Sequence, residues 1–400
     1  MADRLPLPAS ARLGKTQALL SFLVLKLIGG EGLCHIHQYD HDVGLGLLAG
    51  LKILPKPTYA GTYSCLLSAS LCQTLQQQLV ARLRSWAPAA SAGATINLDF
   101  HSIPHFGEPS EMEQVWCGAR HKAMKGANTF FAQDAETNTV LYANADVLRQ
   151  DAAEEMVHFV EYWQPLNGVV NETLVFDSRL TNYRRLGQLD EAGIKFITWR
   201  KRSPRLKAQP AALDDSHWQT VKLPIPKRKH QTFLAYESEV TLTGCPKPLR
   251  QIIMKDHGRA EATYVITNNR ELPLVAVLII YARRWRVENK LAEWVDFFNL
   301  NALSSSIMVR IHFDLLLSVV ASFLYWRLAQ DLPRFERHLA PDLFRRFIDM
   351  PGKVCFNGHQ FEVCIRKHAH TPILLGVKKR QQPIAAPWFG GRPLRLVFTP

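Results

Sequence analysis

The sequence predicts a mixed α/β protein, and three observations carry that prediction. Between residues 94 and 199, strand-like and helix-like segments run strand, strand, strand, helix, strand, helix, strand, the pattern of a mixed sheet with a crossover unit. Hydrophobic spacing is helical over 15–92 and changes to a period of two at 94–103,. The chain has 400 residues, 47% hydrophobic and 21% charged, with Gly 22 and Pro 23. Such usage excludes collagen-like and disordered classes, and at roughly 100–200 residues per domain the length suggests two to four structural units.

The elements follow in order. Leu19, Leu20, Phe22, Leu23, Leu25 and Leu27 fill a buried helix that Gly29-Gly30 ends,. A second helical stretch near 43–51 stops before Pro55 and Pro57, and a third spans 64–86, with Leu66, Leu67, Leu71, Leu75, Leu79 and Leu83 at helical spacing. These helices fit a helix-turn-helix-like DNA module and fit any small helical bundle equally well. After a small-residue linker at 87–93, Ile96, Leu98 and Phe100 alternate with Thr95, Asn97, Asp99 and His101, which is a strand,. Strands at 128–132 and 139–143, a helix at 151–163, a strand at 173–176, a helix at 181–192 and a strand at 194–199 come next. Six prolines and short alternating segments make 202–260 a β-rich insertion. A returning strand at 263–267, one long helix over 275–298, further helices to about 348 and a basic tail complete the chain. The expected divisions are 1–92 (helical), 93–201 (core, first part), 202–261 (β-rich insertion), 262–330 (core, second part) and 331–400 (basic C-terminal region).

Seven cysteines without a CxxC pair argue against a disulfide framework or a zinc knuckle and for a reducing cytoplasm,. No secretory h-region opens the chain, and the apolar runs 272–282 and 315–326 fall short of the ~20 residues that span a bilayer, so no membrane role is expected,. The net charge of +13 is localised: residues 195–260 carry +9 and 331–400 carry +7, which leaves −3 elsewhere. Two basic districts on a near-neutral body suit a polyanion, although solvated surface charge would look the same.

Three acids stand out by placement. Asp99 lies on the polar face of its strand, Asp177 ends an apolar strand where open α/β sheets put functional groups, and Glu288 lies on the late helix,. Three carboxylates suit hard Mg²⁺ or Mn²⁺ ions and leave coordination positions for water and phosphate. Tyr281, Arg284 and Glu288 share one face of a continuous helix, so Arg284 either holds a phosphate beside the metals or forms an ordinary i,i+4 ion pair with Glu288,.

The residues around these acids resemble the DDE transposases of bacterial insertion sequences, in the group related to insertion sequence four. The segment around Asp99 is similar to the first-acid strand of that family. Leu174-Val-Phe-Asp177, the helix after it and Gly193-Ile-Lys-Phe-Ile197 are similar to the second-acid unit. Tyr281, two residues, Arg284, three residues, Glu288 is similar to the third-acid motif, preceded by Tyr264-Val-Ile-Thr-Asn268. The resemblance covers about 94–330. It implies a ribonuclease-H-like core with a β-rich insertion, and Asp99, Asp177 and Glu288 as catalytic ligands of two Mg²⁺ or Mn²⁺ ions. It also implies Tyr281 and Arg284 on phosphate, and double-stranded DNA (terminal inverted repeats and target) as partner of a homodimer. The activity implied is DNA cleavage and strand transfer; a DNA-binding remnant and a metal-dependent nuclease without strand transfer are the alternatives.

The motif's lysine position, seven residues past Glu288, is Val295 here, and Lys290 lies about 200° around the helix from Glu288,. Lys227, Arg228 and Lys229, and likewise Lys378, Lys379 and Arg380, either contact DNA or are solvated loops. Trp199 and Trp218 either stack a flipped base or pack in the core, and His101 and His105 flank Asp99,. Cys34, His35, His37, Asp40, His41 and Asp42 are dense in zinc-ligand types, yet two histidines two apart diverge on a helix, so a helix–turn boundary is the reading.

Overall fold

The computed structural model describes residues 7–10, 13–107, 112–201, 203–224, 232–258, 261–302, 306–377 and 382–400. The two lysine-rich clusters, 227–229 and 378–380, lie outside the described residues.

The chain opens with four helices: α1 (Lys15–Leu27), α2 (Val43–Leu48), α3 (Pro57–Cys65) and α4 (Ala69–Trp86). The single helix expected over 64–86 is instead the end of α3 and the whole of α4. Ser68 divides them, because its hydroxyl accepts the Leu71 N–H and caps α4,. Of the zinc-like cluster, Cys34, His35 and His37 lie in a short 3-10 helix, Leu33–Tyr39, and Asp42 caps α2 by accepting the Leu45 N–H, with no metal-holding group among the described residues.

The central sheet begins with β1 (Thr95–Pro104), β2 (Glu113–Cys117), β3 (Lys122–Asp134) and β4 (Val140–Asn144). After α5 (Glu155–Asn167), β5 (Thr173–Phe176) runs parallel to β1; after α6 (Tyr183–Glu191), β6 (Phe196–Trp199) runs parallel to β5. The short α7 (Pro204–Ala208) leads to β7 (Gln219–Lys222), β8 (Thr232–Val240), β9 (Leu249–Lys255) and β10 (Thr263–Thr267). The strand order is β2-β3-β1-β5-β6-β10-β9-β8-β7, with β4 also on β3. The proline-rich segment therefore continues the same sheet through antiparallel β10 rather than building a sheet of its own.

Alternation along the strands sorts residues to two faces. Ile96, Leu98, Leu174, Phe176 and Phe196 enter the main core, while Val175, Ile197, Ile252 and Val265 pack with Val277 and Leu278 of α8 (Leu274–Ala282),. Beyond α8 come α9 (Trp285–Asp296), α10 (Met308–Asp331) and α11 (Ala340–Phe347). The one long helix expected over 275–298 is thus two. At Arg283-Arg284 the hydrogen bonds tighten to i→i−3, as from Arg284 N–H to Tyr281 O and from Val287 N–H to Arg284 O,. No glycine or proline marks that break, so hydrophobic spacing could not reveal it.

Helix α10 is the hub. It is long and apolar enough to cross a membrane by length and composition, but most of it is buried against α1, α3, α4 and β4. Its Asp314 pairs with Lys26 of α1 at 2.9 Å, and Lys26 also donates to the Phe298 carbonyl. The N-terminal helices accordingly share one hydrophobic core with the sheet. The tail forms a second, four-stranded sheet from β11 (Gly352–Phe356), β12 (Phe361–Arg366), β13 (Ile384–Ala385) and β14 (Pro393–Thr399), with α12 (Thr371–Gly376) between β12 and β13.

Candidate active site

Two parallel strands and the α8–α9 break bring Asp99, Asp177, Arg284 and Glu288 within electrostatic reach of one another. Asp99 sits mid-way along β1 on the face away from Ile96 and Leu98. Asp177 follows the last residue of β5 and anchors the turn there. Its carboxylate accepts the Arg179 N–H at 2.8 Å, and its carbonyl accepts the hydroxyls of Thr181 and Thr198. Glu288, in the first turn of α9, is exposed.

Arg284 connects the set. Its guanidinium donates to Asp99 at 2.8 Å and to Glu288 at 3.0 Å. The i,i+4 pair with Glu288 is therefore real, and it is half of a bridge spanning two elements. Burial opposes the charge on Arg284, but Asp99, Tyr281, Asp177 and Glu288 outweigh it and hold its pKa above the ordinary value,. Asp99 shows the opposite balance. Burial, then repulsion from Asp177 and Glu288, pushes its carboxyl up to about 6 against the pull of Arg284 and of the Phe100 N–H,. Arg284, with Arg179 acting on Asp177 and Asp99, still leaves three carboxylates against two guanidiniums, so the cluster carries surplus negative charge.

Tyr281 bonds to Arg284, and burial raises its pKa, so it remains a neutral hydroxyl. Its ring stacks on Trp199 at 5.5 Å. Trp218 lies elsewhere, against Tyr236 and beneath the Lys255 ammonium. His101 pairs with Asn301 at 2.8 Å, and burial lowers its pKa.

The residue that sequence reasoning missed is Arg179. Its guanidinium lies 4.2 Å over the Phe100 ring, donates to Asn128 at 2.8 Å, and acts electrostatically on Asp177 and Asp99,. Burial and neighbouring Arg149 lower its pKa. The signal was faint: an arginine two residues past an acid, with its stacking partner one residue past another. The motif's lysine position offers no substitute. Val295 is half-buried against the main core, and Lys290 is buried and paired with Glu293.

The donor set suits a hard divalent cation, since it is all carboxylate oxygen and its charge is under-compensated. Arg284 lies between Asp99 and Glu288 and is bonded to both. No group of three or more His, Cys, Asp or Glu among the described residues is gathered to hold a metal ion.

Residues 95–324 match the family model described as the transposase DDE domain. No curated protein matches. Among solved structures, the chain is similar to a cryo-EM structure of a piggyBac transposase synaptic complex with hairpin DNA. The identity is 12% and the TM-score 0.41, over 85% of this chain and 78% of that one.

Proposed function

Because this chain belongs to the transposase DDE domain family, matched over more than half its length, we propose that it is a transposase of the insertion-sequence-four-like group, cleaving DNA at the ends of its element and joining them to a target. The observation that carries the reading is the surplus negative charge at Asp99, Asp177 and Glu288, where Arg284 bridges two of the carboxylates and Arg179 acts on Asp177 and Asp99. The sheet order β4-β3-β1-β5-β6, with β1, β5 and β6 parallel, supports a ribonuclease-H-like core.

In this proposal Asp99, Asp177 and Glu288 would hold divalent ions, two Mg²⁺ or Mn²⁺. Bound there, such ions supply an activated water or 3′-hydroxyl and offset charge on the phosphate under attack. The rest falls to the protein. Arg284 has a planar, two-pronged donor set already aimed at oxyanions, which suits a DNA phosphate,. Tyr281, neutral and stacked on Trp199, keeps that guanidinium in place. Arg179, held by Phe100 and Asn128, adds a second phosphate contact where Val295 gives none. Asp177 is fixed by the turn it caps, so its carboxylate needs no reordering when DNA arrives,.

Double-stranded DNA, both terminal inverted repeats and target, is the proposed partner, with a homodimer formed on it in a bacterial cytoplasm. The five-part division drawn from the sequence belongs to the same proposal. A DNA-binding remnant that does not cut is the second reading, favoured by the packed Val295. Duplexes carrying the gene's flanking sequence, incubated with Mg²⁺ or Mn²⁺, separate the two. Wild type should cleave them, while Asp99→Asn and Asp177→Asn lose cleavage by orders of magnitude and bind equally well at fixed salt. Binding without cleavage by wild type would favour the remnant.

A further inference from the structure

Strand β3 is longer than its partner β1. The two pair from Asp134↔Ile96 to Gly126↔Pro104; beyond that point β3 pairs with β2 instead, from Gly126↔Glu113 to Lys122↔Cys117. The β2–β3 hairpin therefore projects as a two-stranded arm past the C-terminal end of β1, the end at which β5, parallel to it, delivers Asp177. Gly126 is its root. A Cβ there would lie 2.2 Å from the Ile103 carbonyl oxygen and 2.7 Å from Val115 Cγ2, so only glycine lets the chain change partners,.

What the arm displays is unusual for an edge. Trp116 is 60% exposed and Phe106, at the arm's base, is 64% exposed. Arg120 in the tip lies 4.7 Å over the Phe106 ring. His121, Lys122 and Lys125 are exposed. Over 106–126 the charges are Arg120, Lys122 and Lys125 against Glu108, Glu111 and Glu113, a net of zero, with all three positive charges after the acids in sequence. Trp116 faces outward because Val115 and Cys117 take the buried positions of the alternation. A tryptophan 60% exposed, on a ribbon whose tip carries Arg120 and Lys122, marks a contact surface rather than a core,.

We propose that this arm enters the major groove of the DNA on which the catalytic end works, about one helical turn from the phosphate under attack. This rests on the transposase reading above. A two-stranded β-ribbon fits the ~12 Å major groove. Lys122 lies where a ribbon's tip meets the flanking phosphates, Arg120 would swing there off the Phe106 ring, and Trp116 offers an apolar plane to thymine methyl groups,. The reach follows from the register. Five residues from Asp99 to Pro104 and four from Gly126 to Lys122 extend roughly 30 Å at ~3.4 Å per residue, about nine base pairs of duplex.

A fluorescein-labelled 20-base-pair duplex of mixed sequence, bound by the full chain across a salt series, tests the arm. The Arg120→Ala/Lys122→Ala variant should lower the slope of log affinity against log salt by about 1.8, at about 0.9 per phosphate contact. Trp116→Ala should weaken binding several-fold and leave the slope unchanged. All three positions are exposed, so melting temperatures should stay at wild-type values. Pre-loading the duplex with methyl green, a major-groove binder, should abolish the difference between wild type and variant, while netropsin in the minor groove should not. An unchanged slope, an equal loss on a single-stranded 20-mer, or abolition by netropsin instead would each overturn the proposal. Metal-dependent cleavage by wild type is scored separately. If it is absent while the slope falls, the transposase reading fails and the arm's groove contact stands; if it is present with an unchanged slope, the arm alone fails.

Discussion

Lys26–Asp314 and Arg284–Asp99–Glu288 use the same materials for opposite ends. The first joins α1 to α10 in the core, one cation to one anion at 2.9 Å, with the Phe298 carbonyl taking a further ammonium proton. It is neutral and closed. The second sits at the end of the sheet, where one guanidinium spans two carboxylates and feels a third, and Arg179 is the second cation against the three. It is negative and open. Burial raises both Asp314 and Asp99, but only Asp99 is also pushed by neighbouring carboxylates. A structural pair balances its charge inside the protein; a site for a charged ligand leaves the imbalance for the ligand to correct.

The largest effect expected from this contrast is at the closed pair. Asp314→Asn leaves Lys26 buried and uncompensated, and should cost about 3–5 kcal/mol in urea unfolding. Lys26→Met/Asp314→Leu should recover most of that loss. If the single variant is neutral, the pair is not closed in solution and the contrast breaks.

At the open site the sign reverses. Asp99→Asn removes a carboxylate that the fold holds against its preference, and should stabilise the metal-free protein at pH 7 by about 1–3 kcal/mol. The linkage is direct. With a pKa of about 6 when folded against 3.8 as the reference, the folded state binds this proton more tightly. Stability from this group is therefore highest at low pH, declines as pH rises from 3.8 to 6, and is flat above. Subtracting the Asp99→Asn pH profile from that of wild type should reveal that decline; a difference that rises with pH would contradict it.

A smaller loss is expected at Val295. Packed against the core, it should not accept an ammonium, and Val295→Lys should lower stability by about 1–2 kcal/mol with no gain in DNA affinity. A gain in affinity at unchanged melting temperature would restore this position to the phosphate-binding face.

How much of this was legible beforehand depended on whether the signal was local. The alternation around Asp99 and the apolar run before Asp177 gave β1 and β5 within a residue, because period two and burial act on neighbouring residues. The α8–α9 break was invisible, since it lies in a run of good helix formers and accompanies contacts that Arg284 and Arg286 make to Asp99 and the Ala135 carbonyl, far away in sequence. Strand β2 was missed because only five residues alternate, with one side bare. Arg179 was missed because its value lies in Phe100 and Asn128, which only the fold brings beside it.

The proposal that matters most is that Asp99, Asp177 and Glu288 hold divalent ions that offset their surplus charge. Electron paramagnetic resonance of Mn²⁺ titrated into the full chain, with a duplex of the flanking sequence present, tests it most directly. Wild type should take up Mn²⁺, and Asp99→Asn, Asp177→Asn and Glu288→Gln should each weaken that uptake without loss of bound DNA. Equal Mn²⁺ uptake by wild type and the triple variant, or none by either, would contradict the claim.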